Sequence, residues 1–436
     1  MLGLLFLVLS FCWVTYRIYK KKGFSSSCFL FTLYTISSLA ALFLVLIGFA
    51  GANPKINNYD SGYLFLTVAL LLFLYPFYDL DDNNIKSVNV PDRRILDIFM
   101  IITTSLSLFS IVYFVPIAAE MMFVDVEDVY ELRIAVARGD NPFITPSIFN
   151  TIAGTSASFY SVQLLLFFLY VIREERRSYI KWYNWIILFS SFSYPVFVLA
   201  YLGRDGVVFW LMSFLSMLLL FRKFIHNELL KKIKKTVVYI LLPFGAVFVF
   251  ITLGRFVVKN DDGSFLLSTI NYMGQGPINF AEIFDTDIKT LGHGRGLFPL
   301  IFGESSDNLK YLLNHYGLVP WVFKTFVYSV YNDFDVFGTL LIAFSLCVVY
   351  KFTFVRERIN RDFPFQYLLL YVFFFTIYSQ GLFYFRHGYR VGNLYIFTIL
   401  LLALFFTFIR QERIYVYGYK DNQPQCEHSD AEKVTS

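Results

Sequence analysis

The chain has 436 residues, of which 57% are hydrophobic, 20% aromatic and only 16% charged. An ordinary soluble domain carries about a quarter charged residues, so this balance excludes one, and 53 Phe with 31 Tyr suit the lipid-facing bulk and interfacial belts of an integral membrane protein. The net charge of +5 does not signal nucleic acid, because the basic residues are sorted among alternate loops.

A hydrocarbon core of about 30 Å needs about 20 apolar residues per helix. Eleven runs meet or approach that length: 2–16, 28–50, 61–78, 95–118, 151–172, 183–202, 207–221, 236–253, 334–350, 364–383 and 392–409. The first has its positive charges after the apolar stretch, at Arg17, Lys20, Lys21 and Lys22. A signal peptide carries them before it, so the run reads as a retained first span. Backbone polar groups must be satisfied inside lipid, which makes the runs helices. The expectation is an all-α polytopic membrane protein of about 11 transmembrane helices with one long extracytoplasmic loop containing short amphipathic helices. Residues 1–253 hold spans one to eight, 254–333 the long loop, 334–409 spans nine to eleven, and 410–436 a polar tail expected to be disordered.

Alternate loops divide the cations unequally. Loops 17–24, 79–94, 173–182, 222–235 and 351–362, with the tail from 410, carry 25 of the 37 Lys and Arg residues. Loops 51–60, 119–150, 203–206, 254–333 and 384–391 carry the other 12. The positive-inside rule makes the first set cytoplasmic, with the N-terminus outside and the C-terminus inside. Cys12, Cys28, Cys347 and Cys426 lack metal-ligand spacing and suggest neither a disulfide framework nor a zinc site.

Three charged features fall on the outer side. The interval between Lys181 and Arg222 is 40 residues, about 60 Å of helix, or two crossings without spare length. Arg204 and Asp205 therefore sit at the membrane rim, either paired with each other or engaged with a ligand. In the loop YFRHGYR, Arg386 and Arg390 are i and i+4 and share a helix face if the last span begins early. Two guanidiniums held together repel unless an anion separates them, although interfacial anchoring is the simpler use of such charges. His387 lies between them. The long loop adds Arg255, Glu282, Asp285, His293 and Arg295, the last two inside Gly-His-Gly-Arg-Gly, where the backbone can approach a ligand closely. The segment 315–331, apolar but only 17 residues long with Lys324 inside it, suits an amphipathic or re-entrant piece at the interface.

Arginine forks match phosphate geometry bidentately. Arginines on three loops facing one compartment suit a membrane-embedded substrate bearing a diphosphate. No Asp-x-Asp pair stands at an outer span end to hold a divalent ion, so charge stabilisation by arginine is the economical reading, and no metal or cofactor is expected.

The segments YLGRDGVVFWLMSF (201–214), TLGHGRGLFPLIFG (290–303), VYNDFDVFGTLLIAF (330–344) and YFRHGYRVGN (384–393) resemble, in this order, those of the polytopic O-antigen polymerases. The resemblance implies a bacterial inner-membrane enzyme that polymerises undecaprenyl-diphosphate-linked oligosaccharide repeat units by glycosyl transfer at the outer face. It also implies a separate chain-length regulator as partner, alongside membrane lipid, and no nucleic acid. In that setting Arg204, Arg255, Arg386 and Arg390 would hold the diphosphate with Arg295 in reserve. His293, His387 or a carboxylate such as Asp205 would take the acceptor proton, and Glu282 and Asp285 would contact substrate. An O-antigen ligase shares the long outer loop and is the nearest alternative. A lipid-linked oligosaccharide flippase is the alternative from another class, but its charges would lie inside spans.

Overall fold

The computed structural model describes residues 1–48, 60–122, 147–173, 180–201, 203, 205–239, 242, 265–285, 292–303, 323–360 and 362–415. Helices dominate: α1 (Leu2–Lys22), α2 (Ser26–Leu46), α3 (Asp60–Asp79), α4 (Arg93–Met122), α5 (Ile148–Ser158), α6 (Tyr160–Arg173), α7 (Trp182–Ser190), α8 (Ser193–Ala200), α9 (Asp205–Phe221), α10 (Phe265–Asp285), α11 (Pro299–Phe302), α12 (Thr325–Asn360), α13 (Phe365–Gln380) and α14 (Arg390–Thr407). Seven helical segments are long and apolar enough to cross a membrane. The pair α5–α6, bent by 47°, makes an eighth if it is one span, and α9 is a shorter apolar helix. The chain is an all-α polytopic membrane protein.

The helices begin where sequence chemistry lets them. Ser25 caps α2 by accepting from the amide of Cys28 at 3.1 Å, and Ser147 caps α5 by accepting from that of Asn150 at 3.1 Å. Each hydroxyl satisfies an amide that has no partner inside its helix. Helix α6 is apolar on every side and buried from Tyr160 to Ile172, which makes it the central post of the bundle. Around it the exposed large side chains, among them Leu9, Trp13, Ile101, Val112, Phe337, Phe344, Leu401 and Phe408, form the outer surface. In water that surface would be costly, whereas in lipid it is the required solvent contact.

The segment that precedes α12 is more than a connector. Its α10 runs alongside α2 and α3, burying Ile278, Phe280, Ala281 and Ile283. The approach to α2 is close, since a Cβ on Gly274 would stand 2.6 Å from backbone atoms of Ala40 and Ala41. Helix α12 is broken at Asp335, whose φ of 58° is non-helical. Its first part, 325–334, is buried in the bundle rather than lying on it. There Phe326 packs on Phe73 and Tyr378, and Tyr331 on Phe65, Phe280 and Phe284.

The described parts of the connections gather at two ends, in the same two sets into which their charges divide. At one end, strands β1 (Ser87–Pro91), β2 (Asp362–Phe363) and β3 (Gln411–Tyr415) form a sheet of order β2-β1-β3. Strand β1 pairs parallel with β2 (Ser87 with Asp362) and antiparallel with β3 (Ser87 with Tyr415). Lys22 Nζ donates to the Leu80 carbonyl at 2.6 Å, Lys223 Nζ to that of Asn83 at 3.1 Å, and Arg173 pairs with Glu412 at 3.0 Å. These contacts join all six basic connections. At the other end the Met1 ammonium meets Asp60 at 2.6 Å, Asn150 reaches the Tyr201 hydroxyl at 3.5 Å, and Asp205 meets Tyr384. The amide of Lys324 donates to the Phe383 carbonyl at 2.9 Å.

Candidate functional site

The centre of the second end is Arg386, in the loop between α13 and α14. Its guanidinium carbon lies 5.7 Å from the ring centre of Phe197 and 6.0 Å from those of Tyr194 and Tyr384. Arg386 Nη1 approaches the Tyr384 hydroxyl at 3.5 Å, and that hydroxyl in turn donates to the Asp205 carboxylate. Burial and the Asp205 carboxylate hold the Tyr384 phenol well above its ordinary pKa, so it stays protonated as the donor. Arg386 thus senses Asp205 through a phenol and forms no direct ion pair among the described residues. Aromatic faces attract a guanidinium but leave its N–H groups free to bind a ligand.

A polar chain supports this box from within. Gln380 Nε2 donates to the hydroxyls of Tyr160 and Tyr194 at 3.3 and 3.2 Å, and those two rings stack at 4.5 Å. Asp205 is the first residue of α9, where the positive end of the helix favours a carboxylate.

The Gly-His-Gly-Arg-Gly turn of the long loop is brought to the same place by two buried residues. Asp333, 1% exposed, accepts from the amides of Gly296 and Leu297 at 3.2 and 2.9 Å. A Cβ on Gly292 would meet that carboxylate at 2.4 Å, so only glycine fits. Asn393, fully buried, donates to the carbonyls of Leu297 and His387 at 2.9 and 2.7 Å and accepts from the Leu300 amide at 3.1 Å. One side chain thereby ties the turn to the Arg386 loop. A Cβ on Gly388 would stand 2.6 Å from the Gly296 carbonyl, which shows how closely the loops pass. His293, at φ 49°, and Arg295 are exposed on this turn.

Of the residues expected from sequence, the structure therefore links Asp205 to Arg386 through Tyr384 and sets the backbone of the turn that carries His293 and Arg295 against the Arg386 loop. Arg204 and Arg255 lie outside the described residues, as does the side chain of Asp285. Glu282 lies on α10, which packs against α2 and α3. Arg390 is the first residue of α14 and Tyr389 before it is extended, so Arg386 lies in the loop and does not share a helix face with Arg390. His387 is 3% exposed, with its ring 5.2 Å from that of Tyr395 and its Nε2 buried without a hydrogen-bond partner among the described residues. Burial, aided by the adjacent Arg386 charge, lowers its pKa to about 3. A general base must reach the proton it removes, and this ring is positioned as a wall of the loop.

Sequence reading missed Tyr194, Phe197, Gln380, Asp333 and Asn393. The last two were discoverable as polar residues at the edges of apolar runs; the aromatics stood among dozens of others. No family model matches the chain, and no curated protein or solved structure matches it either.

Proposed function

We propose that the chain is a polymerase of lipid-linked oligosaccharides. It transfers a glycan from an undecaprenyl-diphosphate carrier to the non-reducing end of another lipid-linked repeat unit, at the outer face of a bacterial inner membrane. The observation that carries this reading is Arg386, a cation held by aromatic faces beside Asp205 with no direct ion pair among the described residues. In the reaction the acceptor hydroxyl oxygen bonds to the anomeric carbon while the bond to the diphosphate breaks, and the acceptor proton passes to a base. Negative charge grows on the leaving diphosphate, where a preplaced guanidinium stabilises the transition state more than the ground state. Asp205 is the carboxylate nearest that cation through Tyr384 and is the base in this proposal. Arg295 and Arg390 belong to the same end as further phosphate contacts.

The reading includes eleven crossings, an outer N-terminus and an inner C-terminus, and a chain-length regulator as partner. It requires no cofactor. Its test is surface polysaccharide on a gel from cells carrying Arg386→Ala or Asp205→Asn. Loss of the ladder with a single repeat unit still on its acceptor is expected. Absence of any transferred glycan would favour a ligase or a flippase, and an undiminished ladder in both variants would overturn the assignment of the site.

A further inference from the structure

Lys324 stands beside the Arg386 loop, its amide donating to the Phe383 carbonyl. It is 4% exposed, yet its ammonium has no carboxylate and no hydrogen-bond acceptor among the described residues. The Tyr328 ring lies 4.6 Å from Nζ. Burying an ammonium is expensive unless an anion or several acceptors compensate, and a single aromatic face offsets only part of that cost. Burial pulls its pKa down to about 8.

The next residue is unusual as well. Thr325 is β-branched with φ 65°, a conformation that costs strain, and its Oγ1 is buried without a hydrogen-bond partner among the described residues. The surroundings enforce this. The amides of Lys324 and Thr325 both donate to the Phe383 carbonyl at 2.9 and 3.1 Å, the Phe326 amide donates to that of Gly381 at 2.9 Å, and Asn279 Nδ2 donates to that of Phe323 at 2.8 Å. The Phe323 ring stacks on Tyr384 at 5.8 Å, and Tyr384 is the residue that links Arg386 to Asp205. A buried ammonium without an acceptor and a buried hydroxyl without a partner, both among the described residues, are thus consecutive in the chain at the start of α12, held beside the Arg386 loop by the Phe383 carbonyl.

We propose that Lys324 and Thr325 form a phosphate-binding subsite. In the setting of the polymerase reading, on which this identification of the ligand rests, it takes a phosphate of the lipid-linked donor. Lys324 Nζ and Thr325 Oγ1 donate to phosphate oxygens while Arg386 serves the neighbouring position. An anion there favours the charged amine, so binding takes up a proton near and above pH 8.

The test is calorimetry of farnesyl diphosphate with the full chain in phosphatidylcholine nanodiscs, at pH 7 and pH 9.5. The expected result is wild-type binding that weakens at least tenfold at the higher pH. Lys324→Gln should bind at least about tenfold more weakly at pH 7, the scale of one lost charge-assisted hydrogen bond, and lose most of the pH step. Lys324→Arg should recover part of the affinity and stay insensitive to pH, because a guanidinium does not titrate there. Competition by phosphatidylglycerol that vanishes in Lys324→Gln would keep the phosphate subsite and assign it to a lipid headgroup. If Lys324→Gln binds like wild type while Arg386→Ala does not, the subsite is overturned and the polymerase reading stands. If the wild type binds neither ligand, both fall.

Discussion

Apart from the solvent-open Met1–Asp60 pair, the two ends of the bundle treat positive charge differently. At the sheet end the cations are compensated: Lys22 by the carbonyls of Tyr78 and Leu80, Arg173 by Glu412, and Arg413 by Asp362 at 3.1 Å. At the other end Arg386 is wrapped in aromatic rings and Lys324 faces one ring, and neither has a carboxylate within pairing distance among the described residues. Compensated cations hold connections together. Uncompensated cations in buried surroundings cost stability, and proteins keep such costs where a ligand supplies the missing charge. On the proposed function, the contrast distinguishes an end that holds the connections from the end that meets substrate.

The largest expected effect concerns Arg386. Its replacement by Ala should lower polymer formation by roughly 100- to 1,000-fold, the range for removing one preplaced donor from developing charge. Protein abundance in the membrane should stay unchanged. A comparable loss from Arg173→Ala, at the sheet end, would break the contrast.

Next comes Lys324→Met, for which stability should rise while binding falls. With a pKa of about 8 in the fold against 10.5 ordinarily, the buried ammonium costs on the order of 3 kcal/mol at pH 7, at about 1.4 kcal/mol per unit. The sign follows from linkage. Between pH 8 and 10.5 the unfolded chain holds a proton that the fold has released, so wild-type stability rises with pH there. The advantage of Lys324→Met should therefore be largest at and below pH 7 and vanish near pH 10.5, as measured by thermal or denaturant unfolding in detergent. A destabilised variant at pH 7 would show that the ammonium is compensated after all.

Asn393→Ala should cost about 2 kcal/mol, because truncation strands the buried carbonyls of Leu297 and His387 and the Leu300 amide. The readout that distinguishes positioning from general packing is hydrogen exchange over residues 292–303, which should speed up while exchange in β1 does not.

How much of this was legible in the sequence follows from the range of the interactions. The apolar runs and the division of basic residues needed only local composition, and all six basic connections do meet at one end. The short interval between α8 and α9 followed from counting residues. The aromatic box did not, because Tyr194 and Phe197 look like any other ring in an apolar run, and their use depends on a loop nearly 190 residues later. The expectation that Arg386 and Arg390 share a helix face rested on where α14 begins, and the extended Tyr389 moves that start to Arg390 itself. Asp333 and Asn393 were visible as polar residues beside apolar runs, but only the fold reveals that each grips the same turn.

The smallest expected effect tests the structural end. The Arg413 side chain is 56% exposed and that of Asp362 13%, and an ion pair so open to solvent contributes between nothing and about 1 kcal/mol. Asp362 also accepts from the Ser87 hydroxyl at 2.5 Å and stays in register through the β1–β2 pairing, so the sheet has a second hold on it. Arg413→Ala should therefore lower stability by less than about 1 kcal/mol and leave the polysaccharide ladder at wild-type length. A shortened ladder with unchanged stability would mean that the sheet end communicates with the Arg386 loop across the bundle. The two ends would then be coupled parts of one device, and the division between holding charges and binding charges would have to be abandoned.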